Sequence, residues 1–259
     1  MLATEIIDRG TGPAVIFSHG TLLDSSMFLP QILDLQTDYR TIAYTSRAGT
    51  HRYATDYSIK DLVDDCISVA DDAGVENFVL AGMSVGGFMA IDAILAHHDR
   101  IAGLILIDTM ADAYTDKEKQ EFGELFETMD ADEPIPDWFI QTFVPIIFSQ
   151  NAIDSKPDLI DKWTDKWRSR PSRSVFREFR SWIDKDDMIN SVRDISVPTL
   201  ILHGVDDAGI KIECAERLQS AIPSASFVRI QGAGHLVTEE APEATTAAIR
   251  DFLKGLDEW

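Results

Sequence analysis

The 259-residue sequence has little cysteine, little positive charge and no long apolar run. Two cysteines, Cys66 and Cys214, are too few for a disulfide framework, so we expect both to pack as small buried side chains. No apolar stretch approaches the roughly 20 residues of a membrane span. Met1–Glu5 has no basic region before an apolar segment, which predicts no signal peptide. These features together predict a cytoplasmic location.

The charge balance is strongly acidic, with 23 Lys and Arg against 44 Asp and Glu, and a net charge of −21. This argues against nucleic acid and anionic membranes as partners. The acidic residues are mostly aspartate and are spread along the chain, a pattern typical of adaptation to high salt. Salt of about 1 M shortens the Debye length to about 3 Å and screens such repulsion. The alternative is an ordinary acidic protein.

Buried strands and helices alternate along most of the chain, which predicts a mostly parallel sheet covered by helices on both faces. We predict a first strand at Thr4–Asp8, with too little chain before it for a full eight-stranded sheet. The remaining strands are predicted at residues 14–18, 40–44, 77–81, 103–108, 199–203 and 226–230. A final helix is predicted from Thr238 or Glu239 to about Leu253.

Residues 110–195 interrupt this alternation with helical patterns alone. We therefore predict a core of residues 1–109 and 196–259 carrying an inserted helical lid at 110–195. Residues Pro136–Ser149 are apolar but contain Pro145, which predicts two short helices or one kinked helix. The lid aromatics are expected mainly in its core. The alternative is that some line an apolar substrate pocket: Trp138, Phe139, Phe143 and Phe148.

Gly82-Met83-Ser84-Val85-Gly86 is the most informative motif, because it stands between a predicted strand and a predicted helix. G-x-S-x-G in that setting is a nucleophile elbow, which exposes a serine hydroxyl above the end of a sheet. An acid and then a histidine should follow. Asp206 and Asp207 come directly after the strand that ends at His203-Gly204, and His235 follows the last strand in a glycine-rich loop.

These motifs resemble the α/β-hydrolase superfamily over almost the whole chain, in the serine branch of small esterases, enol-lactonases, carbon–carbon bond hydrolases and cofactor-free haloperoxidases. The spacing of the acid in that family favours Asp207 over Asp206. The base is expected to be His235, while His203 is expected to pack. His19-Gly20-Thr21 matches the family's HG-x loop, so the resemblance implies an oxyanion hole formed by the N–H groups of Thr21 and Val85.

The resemblance therefore implies hydrolysis of small carboxylic esters or lactones through a Ser84-His235-Asp207 triad, without a cofactor. No metal is expected, because Cys and His show no ligand spacing. Enol-lactonase or carbon–carbon bond hydrolase activity would use the same triad, and a slow ligand sensor of this fold could retain it. Anionic substrates would need a cationic anchor from the lid, for which the alternative is a solvated basic face. The candidates are Arg168, Arg170, Arg173, Arg177 and Arg180. The oligomeric state is not predicted.

Overall fold

The computed structural model describes residues 5–256. Its strands are β1 (Ile6–Arg9), β2 (Ala14–Ser18), β3 (Arg40–Tyr44), β4 (Phe78–Met83), β5 (Ile101–Ile107), β6 (Thr199–Gly204) and β7 (Ala225–Ile230). Within the described range they form one seven-stranded sheet in the order β1-β3-β2-β4-β5-β6-β7. Only β1 is antiparallel, pairing Ile6 with Tyr44 of β3. The predicted sheet of fewer than eight strands is confirmed, although Thr4 of the predicted first strand lies outside the described residues.

The helices outside the β5–β6 connection are α1 (Leu29–Leu35), α2 (Ile59–Asp72), α3 (Val85–Ala96), α9 (Ile212–Ala221), α10 (Val237–Glu240) and α11 (Pro242–Lys254). Helix α2 begins at Ser58, whose hydroxyl accepts from the Asp61 N–H while the Asp61 carboxylate accepts from the Ser58 N–H. Helix α1 packs on α11, and α2 packs on α3. The predicted final helix is divided at Ala241, because Pro242 starts a new helix.

Strands β2 and β4 are buried along their full length, as expected for central parallel strands covered on both faces. Cys66 is buried, Cys214 is partly exposed, and both are free thiols. None of the helices within residues 5–256 has the length and apolar composition needed to cross a bilayer.

The connection from β5 to β6 contains α4 (Asp116–Phe126), α5 (Asp137–Ile147), α6 (Gln150–Ser155), α7 (Pro157–Arg168) and α8 (Ser172–Trp182). The segment at Pro136–Ser149 is one helix, α5, with Pro145 near its end. Helix α6 was not predicted as a separate helix from the sequence. Its start is capped by Ser149, whose hydroxyl accepts from the Ala152 N–H. The interior of α4–α8 is aromatic, with Phe126 stacked on Phe179 at a ring separation of 4.3 Å.

Candidate active site

Ser84 occupies the sharp turn between β4 and α3, with a φ of +53°. Its N–H donates to the Ile107 carbonyl at 2.9 Å, and its own carbonyl accepts from the Gly87 N–H and the Thr109 hydroxyl. A positive φ is unfavourable for serine, and these hydrogen bonds hold the backbone in it. The side chain is thereby fixed at the carboxyl end of the sheet.

The two glycines of the elbow allow this turn. A Cβ on Gly82 would lie 2.2 Å from the Gly86 carbonyl oxygen, and a Cβ on Gly86 would lie 2.3 Å from the Ser18 carbonyl oxygen. Both distances are far inside van der Waals contact, and the atoms that would be hit are backbone. Any larger residue at either position would therefore displace the helix that carries Ser84.

His235 is paired with Asp207, and not with Asp206. The Nδ1 atom of His235 lies 2.7 Å from Oδ2 of Asp207, and both residues are buried. Oδ1 of Asp207 accepts from the N–H groups of Gly209 and Ile210 at 2.7 and 2.9 Å. Asp206 is exposed. The carboxylate of Asp207 is therefore held in one orientation, which favours the His235 tautomer with its proton on Nδ1.

Ser84, His235 and Thr21 line one small pocket of about 50 Å³. The rest of its lining is mostly aromatic and aliphatic: Phe88, Tyr114, Phe122, Phe143, Ile146, Ile147, Trp182, Gly209 and Ile210. Val85, the residue after the serine, is the first residue of α3. A hydroxyl, an imidazole and the start of a helix thus meet in an apolar enclosure.

The loop after β2 passes directly beside the nucleophile. A Cβ on Gly20 would lie 3.1 Å from the Cβ of Ser84. Nδ1 of His19 lies 2.8 Å from the Gly20 carbonyl oxygen, and Nε2 accepts from the Ser46 N–H at 2.8 Å. Burial lowers the pKa of His19 to about 4, so its imidazole is neutral at pH 7. His19 therefore braces this loop against the segment after β3.

Helices α7 and α8 hold Leu22, which follows Thr21 in the same loop, through both of its backbone polar groups. The Leu22 N–H donates to the Glu178 carboxylate at 3.1 Å, and the Leu22 carbonyl accepts from the Trp167 indole N–H at 2.8 Å. Leu22 has a φ of +66°, which a leucine adopts only under constraint. Arg170, between the two helices, donates to the Leu23 carbonyl at 2.7 Å.

Glu178 is fully buried, and burial raises the pKa of its carboxyl to about 7 although the Arg170 charge and the Leu22 N–H oppose the rise. The group that orders Leu22 is therefore near its titration midpoint at neutral pH. This contact could not be predicted from the sequence, because Glu178 is 156 residues from Leu22. The only sequence signal was an acidic residue on the apolar face of a predicted helix.

The loop that carries His235 is also bound to the inserted helices. The Glu240 carboxylate accepts from the Gly234 N–H at 3.0 Å and from the Ser149 hydroxyl at 2.6 Å. The neighbouring Glu239 accepts from the Trp163 indole N–H at 2.6 Å. Both loops that approach Ser84 thus take structural support from residues between β5 and β6.

A second buried carboxyl, Asp108, lies behind the His235–Asp207 pair. It directly follows β5 with a φ of +45° and accepts from the Gly204 N–H at 2.9 Å. Burial, followed by the Asp207 charge, raises the pKa of Asp108 well above its usual range. His203 lies between the two acids, with Nε2 at 2.8 Å from the Ile210 carbonyl oxygen and at 3.3 Å from Oδ2 of Asp207. His203 is thus a buried packing residue that supports the orientation of Asp207.

Asp108, His203 and Asp207 are close enough together to be considered as metal ligands. The oxygens of Asp207 are already committed to two backbone N–H groups and to His235. A cation there would have to compete with the contacts that orient His235. This donor set fits support of the imidazole better than a metal site.

Of the four aromatic residues predicted as possible pocket residues, the structure brings only Phe143 to the pocket of Ser84. Trp138 is 45% exposed, and the Phe139 ring stacks on the Phe143 ring with the ring centres 4.4 Å apart but does not line the pocket. Phe148 follows the end of α5 and packs near Trp167. The helical turn of α5 thus presents one of these rings to the pocket and turns the others away. The prediction missed Phe88, Tyr114, Phe122 and Trp182.

The five lid arginines do not line the pocket of Ser84. Arg168 pairs with Asp137 and Asp165, and Arg173 pairs with Asp130 and Asp132. Arg177 pairs with Asp56. For these three residues the contacts favour a solvated basic face balanced by acidic neighbours, whereas Arg170 is mostly buried against the Leu23 carbonyl and Arg180 lines a neighbouring cavity.

Comparison with known proteins places this site in a family. The model of the Ndr family matches residues 47–257 of the chain. The chain belongs to the Ndr family. The resemblance to the serine branch of the α/β-hydrolase superfamily is likewise confirmed.

Relatives extend over nearly the whole chain of this Ndr-family protein. It is 24% identical to 3-oxoadipate enol-lactonase 1 of Acinetobacter baylyi, with 98% of this chain and 94% of that protein covered. A thermophilic esterase of Thermogutta terrifontis with bound malate has a TM-score of 0.92 at 28% identity, covering 98% and 93% of the two chains. The enol-lactonase of Burkholderia xenovorans shares the fold, with a TM-score of 0.87 at 22% identity and coverage of 97% and 96%. The homologues and structural neighbours support a hydrolase.

Proposed function

We propose that this protein is a serine hydrolase that cleaves carboxylic esters or lactones of small molecules through an acyl-enzyme. The observation that carries the proposal is the pairing of His235 with the buried Asp207 in the pocket that also contains Ser84. Serine becomes nucleophilic when an adjacent base removes its proton. The esterase and enol-lactonase among its relatives support the same class of reaction.

In the proposed reaction, Oγ of Ser84 attacks the carbonyl carbon while Nε2 of His235 takes the hydroxyl proton. The N–H groups of Thr21 and Val85 stabilise the oxyanion, and one such donor contributes about 3–4 kcal/mol. His235 then returns the proton to the departing alcohol, leaving Ser84 acylated. Water attacks the acyl group as His235 accepts its proton, and the carboxylic acid leaves. Asp207 stabilises the imidazolium in both steps.

Residues 110–195 act in this proposal as a lid over the core formed by residues 1–109 and 196–259. Support comes from α4, α5 and α8, whose side chains Phe122, Phe143 and Trp182 line the pocket of Ser84. An apolar cover of this kind excludes water and strengthens the interaction with the developing negative charge.

The pocket favours a neutral ester over an anionic enol-lactone or the acidic substrate of a carbon–carbon bond hydrolase. Its lining residues, all within the described part of the chain, include no Lys or Arg that would pair with a carboxylate. The malate on the Thermogutta esterase shows that a relative with the same fold can hold a small dicarboxylate. Enol-lactones therefore belong in the substrate panel as the second candidate.

The test is the initial rate on p-nitrophenyl esters from acetate to decanoate, measured in high salt for the wild type and for Ser84→Ala. We expect Ser84-dependent turnover that is fastest for short acyl chains. Ser155→Ala, which removes an exposed hydroxyl on α6, is the matched control and should retain the wild-type rate. Full activity of Ser84→Ala would overturn the mechanism. Labelling of Ser84 by a fluorophosphonate without ester turnover would transfer the proposal to lactones or to a ligand sensor.

A further inference from the structure

A larger cavity of about 390 Å³ lies next to the pocket of Ser84. The apolar part of its lining comprises Ile59, Phe88, Ile91, Met110, Ala111 and Met188. The rest of the lining is polar, with two serines and six charged side chains of both signs: Ser58, Ser181, Lys60, Asp92, Arg180, Asp184, Lys185 and Asp186. None of the triad residues lines this cavity, so the proposed reaction leaves it unassigned.

Phe88 is the residue that lines both cavities. It lies one turn after Ser84 on α3, and Ile91 and Asp92 follow on the same face of the helix. The Phe88 ring is 5% exposed, contacts the Tyr114 ring edge-on at 6.4 Å, and lies 4.7 Å from Nζ of Lys185. One face of α3, here called the groove, therefore leads from the nucleophile past Phe88 to the larger cavity.

The two volumes differ in what they can hold. A cavity volume of about 10–15 Å³ holds one water, so the pocket of Ser84, at about 50 Å³, accommodates roughly four atoms of that size. Sites for small molecules usually measure about 300–1,000 Å³, a range that includes the larger cavity. The pocket of Ser84 alone is thus large enough for an acetyl or propionyl group but not for a longer chain.

We propose that Phe88 limits the acyl-chain length the enzyme accepts, because its ring separates the pocket of Ser84 from the larger cavity, where the distal part of a longer apolar chain would lie. This inference rests on the proposed function, because it takes Ser84 as the acylated residue. In that arrangement the methylene groups would contact the apolar side chains of the cavity, while Lys185 lies beside Phe88 at the junction of the two cavities. Burial lowers the pKa of Lys185 to about 8, consistent with an ammonium group held partly out of water at this position.

The decisive experiment is the ratio of kcat/KM for p-nitrophenyl decanoate to that for the acetate, in the wild type and in Phe88→Ala. Removing the ring joins the two cavities, so we expect the ratio to rise at least about tenfold, the effect of burying two further methylene groups. Phe88→Leu should give a smaller rise and serves if the alanine variant does not fold. An unchanged ratio in a folded variant would overturn the proposal.

Two control variants separate this effect from a general loosening of the pocket. Phe122→Ala removes the same ring from the other side of the pocket, where it does not border the larger cavity. It should not produce the long-chain gain. Adding Ile91→Phe to Phe88→Ala refills the groove one helical turn further on and should reverse the gain. A gain in Phe122→Ala equal to that in Phe88→Ala would refute the assigned location.

Binding of decanoate by calorimetry supplies a readout that does not require catalysis. We expect Phe88→Ala to bind decanoate at least about tenfold more tightly than the wild type, and Ile91→Phe to cancel the change. If the wild type hydrolyses no ester but these affinities change as expected, the cavity assignment stands and the proposed function fails. If ester turnover depends on Ser84 but neither the ratio nor the affinity changes, only the cavity assignment fails. A gain confined to acetate esters of long alcohols would assign the cavity to the leaving group and contradict the acyl-chain proposal.

Discussion

Replacing Glu178 with glutamine should flatten the dependence of stability on pH. Burial raises the pKa of this carboxyl to about 7 from an ordinary value of 4.5, which corresponds to about 3 kcal/mol of folding free energy. Because the folded state binds the proton more tightly than the unfolded state, this contribution is fully present below pH 4.5. It is lost as the pH rises through 7. About 2 kcal/mol of the loss falls between pH 5.5 and 8.

The assay is denaturant unfolding of the wild type and Glu178→Gln at pH 5.5 and 8. For each protein, the change in the free energy of unfolding between the two pH values is measured, and the two changes are compared. We expect the free energy of unfolding of the wild type to fall by about 2 kcal/mol more than that of the variant. Burial lowers the pKa of His19 to about 4, and the resulting pH dependence is common to both proteins and cancels. Glu127→Gln, at an exposed glutamate of the same segment, controls for the change in net charge. Parallel stability profiles for the wild type and Glu178→Gln would refute the assigned burial cost.

Two further predictions concern the triad acid and the net charge. Asp207→Asn should lower kcat by about 10⁴-fold, as the equivalent change does in serine proteases, because the amide favours the wrong tautomer of His235. The matched control is Asp206→Asn, at an exposed site, whose kcat should remain within a few-fold of the wild type. Equal losses of kcat in the two variants would contradict the assignment of Asp207. With a net charge of −21, the melting temperature should rise by several degrees between about 0.1 and 2 M KCl as repulsion is screened, whereas a constant value would argue for an ordinary acidic protein.

The sequence was sufficient for the parts of the fold that local rules determine. Short apolar runs alternating with helical patterns predicted the parallel strands, and the elbow glycines predicted the turn at Ser84. The resemblance to the family, which spaces the acid three residues after the strand-end glycine, favoured Asp207 over Asp206. In each case the deciding residues are neighbours in the chain, so their pattern carries the geometry.

The helices between β5 and β6 could be predicted only in outline, because their contacts join residues far apart in the chain. Phe139 and Phe143 are four residues apart and share one face of a helix, but this spacing does not indicate which ring reaches the pocket. Phe88 could have been found, since it lies one turn after Ser84 and side chains four residues apart share a helix face. The partners of Leu22 could not, because no local pattern connects a loop after β2 with α7 and α8.

The hold of α7 and α8 on Leu22 limits how this enzyme could be rebuilt. Insertions between the strands of a sheet are often treated as exchangeable modules that can be swapped to change substrate range. Here the segment between β5 and β6 supplies Trp167 and Glu178 to the backbone of Leu22, beside Thr21, so a chimera with a foreign segment would lose the support of this loop. A transplant of this segment would therefore have to include Leu22 together with Trp167 and Glu178.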